Sequence, residues 1–291
     1  MKKINIFCFG FGQVAKNFIK KINTQNIKIN LSVTSRKNTS KKVFDGIEYD
    51  CFQFSQDSFD KNLIKNLESS NYILVSIAPV NSEDIVIKKF QNIFKAKKIK
   101  WLTYLSATSV YGDHKGEWVD EKSKTSPTSS TGSQRLKAEK LWIELAKNQN
   151  LPMQIFRLSG IYSHESNVLK RLQSGDAKII KKENQFFSRI HVEDIAAVLF
   201  NSLEQFKAKE IYNISDDRPA SSEELILYGS KILNIEPPAI IELKSIESEM
   251  VKNFYKDSKK VNNKKMKDIF NFKLKFPTYV EGLNDIHNNI I

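Results

Sequence analysis

The stretch that most constrains this chain is Gly10-Phe11-Gly12-Gln13-Val14-Ala15, which follows the apolar run Ile4 to Phe9 with no intervening residue. It leads into Val14 to Ile22, where apolar residues recur at helical spacing. A strand that ends in G-x-G-x-x-A and passes at once into a helix opens a strand-helix-strand unit built around phosphates. Gly10 permits the tight turn, Gly12 lets the backbone approach a pyrophosphate, and the small Ala15 lets the helix sit close to the sheet. The helix N-terminus adds N–H groups and a favourable dipole. Gly10, Gly12, Gln13 and Val14 are therefore expected to hold a dinucleotide.

The end of the second strand selects which dinucleotide. An acid there accepts hydrogen bonds from a ribose 2′-hydroxyl, whereas a base pairs with a 2′-phosphate. This strand, read as Ile27 to Thr34, ends Val33-Thr34-Ser35-Arg36-Lys37 and has no carboxylate. Thr34 and Ser35 can donate hydrogen bonds, and Arg36 can grip a phosphate with its planar fork. The pattern favours NADP over NAD, against the alternative of a solvated basic turn.

Apolar runs alternating with amphipathic segments continue through the first two-thirds, as in a parallel sheet with helical crossovers. Strands are expected at Tyr72 to Ile77, Ile99 to Ser106, Met153 to Leu158 and Ile211 to Ile214. Helices are expected at Ser82 to Phe94, Ser133 to Asn148 and Ser222 to Leu233, the last capped by Ser221 or Ser222. Glu121 to Ser133 reads as a polar surface loop. The fold expected is α/β: a Rossmann-type doubly wound parallel sheet with a small C-terminal substrate-side lobe. Residues 1–215 form the nucleotide-binding core and 216–291 the lobe, to which 163–190 contribute.

The formal net charge of +13 raises the question of nucleic acid. The excess is mostly Lys spread along the chain, and only Lys95 to Lys100 and Lys256 to Lys267 cluster, in no recognisable nucleic-acid motif, so solvated faces are the favoured reading. The two cysteines, Cys8 and Cys51, make neither a disulfide framework nor a metal spacing. Met1-Lys2-Lys3 superficially opens a leader peptide, but the apolar run is short and passes into the glycines and then Lys16 and Lys20. No apolar stretch is long enough to span a bilayer. A cytoplasmic monomer or homodimer is expected, with a small-molecule substrate, no membrane and no nucleic acid.

Several later motifs, in order, carry a family resemblance. Tyr104-Leu105-Ser106-Ala107-Thr108-Ser109-Val110-Tyr111-Gly112-Asp113 resembles the strand-to-loop motif of extended short-chain dehydrogenases/reductases. Gly116-Glu117-Trp118-Val119-Asp120-Glu121 resembles an atypical bacterial branch, the NAD(P)-dependent epimerase/dehydratase-like proteins. The likeness continues in Arg157 to Tyr162, Phe187 to Ala196, Ile211 to Asp217 and Phe276 to Leu283, so it spans essentially the whole chain. It implies an NADP-dependent oxidoreductase or epimerase/dehydratase-like enzyme acting on a small polar metabolite. A non-catalytic NADP(H)-binding sensor of the same fold is the alternative.

In that family a Ser or Thr before Val-Tyr-Gly holds the reacting oxygen, and a Tyr-x-x-x-Lys pair moves the proton. Here the corresponding positions fall on Ala107, Thr131 and Arg135. A Thr hydroxyl is far less acidic than a phenol, and Arg cannot exchange a proton. Tyr111 is the first substitute proton carrier, Ser106, Thr108, Tyr162 and His164 are weaker ones, and Ser106, Thr108 and Arg135 join Tyr111 in the catalytic set. Further cofactor contacts are expected from Ser76, Ala78, Leu105, Ser106, Leu158 and Ser159, and substrate contacts from Tyr111, Tyr162, Asn167 and Arg189. His191 reads as a packed histidine paired with Asp194 at a helix start, and Arg157 as an ion-pair partner or anion ligand. Asp113, His114, Glu117, Asp120 and Glu121 lack metal-ligand spacing and read as a rim, so no metal is expected.

Overall fold

The computed structural model describes residues 3–289. Its elements begin β1 (Ile4–Phe9), α1 (Gln13–Asn23), β2 (Ile29–Ser35), β3 (Ser40–Phe44), β4 (Ile47–Gln53), α2 (Asn62–Ser69), β5 (Tyr72–Val75), α3 (Ile85–Phe90), β6 (Trp101–Ala107) and β7 (Trp118–Val119). They continue α4 (Ser130–Gln149), β8 (Met153–Leu158), β9 (Gly160–Tyr162), α5 (Val168–Gln173), β10 (Ile179–Ile180), β11 (Arg189–His191), α6 (Val192–Gln205) and β12 (Ile211–Ile214). The last are α7 (Ser222–Leu233), β13 (Ile240–Ile241), α8 (Glu249–Phe254), β14 (Lys260–Val261), α9 (Lys264–Phe270) and α10 (Tyr279–Asn288).

Two compact units share the chain. The first takes the chain up to Ser106, then Gln134–Arg157 and Ile195–Tyr212; the second takes Ala107–Ser133, Leu158–Asp194 and the chain from Asn213 on. The sequence reading put a boundary after 215, with 163–190 contributing to the later part. The later unit also draws on earlier stretches because the chain leaves the sheet after β6 and again at the end of β8.

An eight-stranded sheet in the order β12-β8-β6-β5-β1-β2-β4-β3 organises the first unit. Strands covered on both faces read as unbroken apolar runs, and β6 and β8 are buried along nearly their whole length. β1 pairs in parallel with β2 and β5, β2 with β4, and β5 with β6, while β3 adds antiparallel to β4. Strand order therefore reverses at β1, and the open crevice of such a sheet lies at the carboxyl ends beside that reversal. α1 buries Val14, Ala15, Phe18, Ile19 and Ile22 on one stripe. Phe18 stacks on Trp101 with ring centroids 5.6 Å apart, which fixes the helix over the sheet.

In the second unit, parallel two-stranded pairs (β9 with β11, β10 with β13, β7 with β14) surround a core of Tyr162, Leu169, Leu172, Ile226, Tyr279, Leu283 and Ile286. A capping box closes the start of α10, with Thr278 and Glu281 satisfying each other's backbone N–H groups. Among the described residues no helix is long and apolar enough to cross a membrane.

β8, β12 and α7 fall where the sequence predicts them, with Ser221 as the cap of α7. The helix expected over Ser82 to Phe94 is shorter, because Asn81 and Ser82 take positive φ (48° and 66°) and Asp84 caps the helix from Ile85. α4 starts inside the expected polar loop, at Ser130.

Candidate functional site

In the first unit, β1 delivers the chain into the glycine turn. Gly10 has φ +86°, and a Cβ there would meet Ile77 Cγ2 at 2.7 Å and Ser76 Oγ at 2.8 Å, so only glycine fits. Its N–H donates to Thr34 Oγ1 at 2.8 Å, and Ser76 Oγ donates to the Phe9 carbonyl at 2.9 Å. These bonds tie the turn to the ends of β2 and β5. Gly12 is the N-cap of α1, no side chain caps that end, and no acid stands in the first turn. A Cβ on Gly12 would meet no atom within 4 Å, so the space in front of it is open. Uncapped N–H groups, a helix dipole and open space are what an approaching phosphate requires, and the residues fit a dinucleotide pyrophosphate.

Around this turn the expected contacts have different duties. Thr34 is buried and its oxygen accepts from Gly10, so it braces the loop. Ser35 Oγ accepts from the Lys37 N–H at 3.2 Å, and Arg36 stands exposed at the strand end. Ala78 is exposed beyond β5, and the Leu105 carbonyl accepts from Arg135 Nη1. Ser106 is buried, and its Oγ has no hydrogen-bond partner among the described residues. A buried hydroxyl left without a partner at the end of β6 is a place where a bound ligand would complete the bonding.

The second unit holds a cavity of about 790 Å³. Thr108 and Ser109 come to its wall from the segment after β6, Ser129, Ser130 and Thr131 from the start of α4, and Tyr162, Asn167, Arg189, Lys259 and Tyr279 from the rest of the unit. Gly132 makes this packing possible, since a Cβ on it would lie 2.7 Å from the Ser109 carbonyl oxygen. Thr131 thus lies on the cavity wall.

Tyr111, the first proton carrier expected from sequence, is not among the lining residues. Its ring is fully buried and its phenol donates to Asn213 Oδ1 at 2.7 Å, while Asn213 N–H donates to Glu121 Oε1 at 2.7 Å. The motif's tyrosine is therefore a brace between its loop and β12. The other expected substrate contacts do reach the cavity, with much of their polar capacity in use. Asn167 accepts the Lys170 N–H to cap α5 and donates to the Ser163 carbonyl. Arg189 donates to the carbonyls of Phe187, Ala220 and Ser221. Burial, with the acids Asp216 and Asp194 nearby, raises the Tyr162 phenol above its ordinary range. Leu158 and Ser159 are buried in this unit, and Ser159 Oγ has no partner among the described residues.

Elsewhere in this unit His191 Nδ1 accepts from the Glu193 N–H at 3.3 Å, so the histidine serves the start of α6. The expected His191–Asp194 pairing gives way to a different bond: the Asp194 carboxylate accepts the N–H groups of Lys275 and Phe276. His164 Nε2 lies 3.2 Å from Asp285 Oδ2. Burial pushes His191 down to about 4 and Asp194 up to about 6. In the first unit, Arg157 makes a buried ion pair with Glu139 at 2.7 Å. Among the described residues no cluster of His, Cys, Asp and Glu could hold a metal ion.

Lys259 and Asp257 were missed as cavity residues. They belong to the Lys256 to Lys267 stretch, which reads as a solvated face because no periodicity marks which lysine turns inward.

Residues 85–215 match the sequence model of a family described as the NAD dependent epimerase/dehydratase family. No curated protein matches the chain. The fold is similar to that of a functionally unknown conserved protein from Silicibacter pomeroyi DSS, at 29% identity and a TM-score of 0.85, covering 100% of this chain and 99% of that one. It is also similar to a dTDP-glucose 4,6-dehydratase from Bacillus anthracis str. Ames in complex with NAD, at 16% identity and a TM-score of 0.77, covering 98% and 96%. A UDP-glucuronic acid 4-epimerase from Bacillus cereus in complex with NAD gives 16% identity and 0.77, covering 99% of each chain.

Proposed function

From the match of residues 85–215 to the NAD dependent epimerase/dehydratase family, we propose that the chain is a member of that family and binds a nicotinamide dinucleotide on the glycine turn and a small polar, nucleotide-sugar-like metabolite in the cavity. The observation that carries the reading is the uncapped start of α1 behind Gly12, with open space before it and no acid in its first turn. Gly10, Gly12 and the N–H groups of Gln13 and Val14 would hold the pyrophosphate, with Ser106 Oγ supplying a hydrogen bond. When bound, the dinucleotide supplies hydride chemistry. The substrate class is supported by the family match and by the nucleotide-sugar enzymes among similar folds.

The finer reading is an NADP-dependent oxidoreductase or epimerase/dehydratase-like enzyme. Arg36 is exposed at the end of β2, and the strand ends without an acid to accept a ribose hydroxyl. Calorimetric titration tests it: NADPH is expected to bind at least about tenfold more tightly than NADH, equivalent to about 1.4 kcal/mol. Arg36→Ala should erase most of that difference. Equal affinities, or an unchanged NADPH affinity in Arg36→Ala, would remove the preference.

The alternative, a non-catalytic NADP(H)-binding sensor, is favoured by one pair of residues. Thr131 on the cavity wall has a hydroxyl of low acidity, and Arg135 donates to the Leu105 carbonyl and cannot exchange a proton. A screen with UDP-glucose, UDP-glucuronic acid and dTDP-glucose separates the two. Tight NADPH binding with no turnover of any metabolite class would favour the sensor.

A further inference from the structure

The cavity wall carries ionisable side chains whose chemistry differs sharply. Arg171 and Arg189 line it, and a guanidinium serves as a fixed fork of donors rather than as a proton carrier. Tyr162 and Tyr279 line it too, and burial drives both phenols above their ordinary range, Tyr279 also through its hydrogen bond to Glu224. The Asp257 carboxylate accepts from the Thr128 hydroxyl and, at 3.4 Å, from Lys259. Lys259 remains.

Its side chain is only 12% exposed. Nζ donates to the Gly112 carbonyl at 2.9 Å as well as to Asp257 Oδ2, and no other acceptor is present among the described residues. An ammonium has three N–H donors. Gly112 is fixed in this role, because its φ is +73° and a Cβ on it would overlap the Ser126 carbonyl oxygen. The loop that follows Tyr111 therefore points a carbonyl at Lys259 and leaves one N–H for a ligand oxygen.

We propose that Lys259 is the proton-exchanging group of the cavity, holding the reacting oxygen of the bound metabolite and taking or returning its proton. This rests on the cavity being the substrate site. As a base, the neutral amine receives the proton of a ligand hydroxyl: the O–H bond breaks, an N–H bond forms at Nζ, and the electron pair stays on the ligand oxygen. The reverse transfer delivers a proton to an alkoxide. Burial lowers the proton affinity of Lys259, although Asp257 and, at longer range, Asp113 pull it back up, so part of the population is neutral at a lower pH than for an exposed lysine. Lys182 also faces Asp113 and, with Lys259, helps hold that carboxyl in its ionised form.

Trace acetylation of the folded wild-type chain with acetic anhydride across pH 6 to 11, read lysine by lysine by mass spectrometry, requires no variant. The Lys259 labelling midpoint is expected at least about one pH unit below that of the exposed lysines, a tenfold difference in proton dissociation, and lower still in Asp257→Asn. A midpoint coincident with the exposed lysines would overturn the proposal. With UDP-glucose and NADP as probes, and NAD in parallel, the acidic limb of kcat should fall at that midpoint. Lys259→Arg should lower kcat by about 10²-fold or more while KM stays within about threefold, since Arg keeps the charge but cannot exchange the proton. Full activity in a folded Lys259→Arg chain would also overturn it. Absence of wild-type turnover with these probes counts against the sugar reading above and leaves the labelling midpoint to decide Lys259.

Discussion

Gly12 and Tyr111 show how differently a motif residue can act. The open space beside Gly12 means that a larger side chain there clashes with nothing in the protein itself. Gly12→Val is expected to keep its melting temperature within a few degrees and to lose at least about tenfold in NADPH affinity by calorimetry, because the side chain would occupy the approach to the helix N–H groups. Unchanged affinity in the folded variant would detach the dinucleotide from this turn. Tyr111→Phe removes the hydrogen bond to Asn213 inside a fully buried site. Its expected effect is a loss of about 1 kcal/mol or somewhat more in denaturant unfolding, with a polar partner left short, rather than a loss of proton transfer. The glycine turn was legible because it is a local pattern of neighbouring residues set between one strand and one helix. The duties of Tyr111 and Lys259 were not, since each is set by a partner far along the chain.

The same division holds among the elements. β8, β12 and α7 were legible because each sets an apolar pattern against clear end signals, Pro152 before β8 and Ser221 before α7. The β3–β4 hairpin was not: β3 has no fully buried residue, and its Ser-Lys-Lys-Val-Phe sequence merges with the general lysine excess. α3 is held by one buried side chain. Asp84 accepts the Val86 and Ile87 N–H groups and, through its other oxygen, Trp142 Nε1 at 2.8 Å. Asp84→Ala should therefore cost about 2 to 4 kcal/mol in chemical denaturation, combining a lost cap with an indole N–H left buried and unpaired. Asp84→Asn should recover part of it.

At the scale of the molecule, two buried groups of the second unit oppose each other over one pH window. His191, lowered from 6.5 to about 4, binds fewer protons folded than unfolded between those values, so by itself it makes stability rise with pH there. Asp194, raised from 3.8 to about 6, binds more protons folded than unfolded over nearly the same window and makes stability fall with rising pH. The wild-type chain should show little slope from this pair between pH 4 and 6. Asp194→Asn should gain a rising slope and His191→Gln a falling one in urea midpoints measured across that range. Matching slopes in both variants would contradict the opposition.

The interleaving of the two units has a consequence for the order in which the chain can become structured during synthesis. The first unit closes only with Ile195–Tyr212, and β12 is the strand that covers one side of β8. A nascent chain that has emerged through Leu158 already contains β8, whose outer edge of unpaired N–H and C=O groups waits for β12, made only after all of Leu158–Asp194. The first unit cannot close until two stretches of the second have been made, so a ribosome halted between β8 and β12 would carry an open sheet edge, the state in which chaperone binding or pairing with another nascent chain competes with folding.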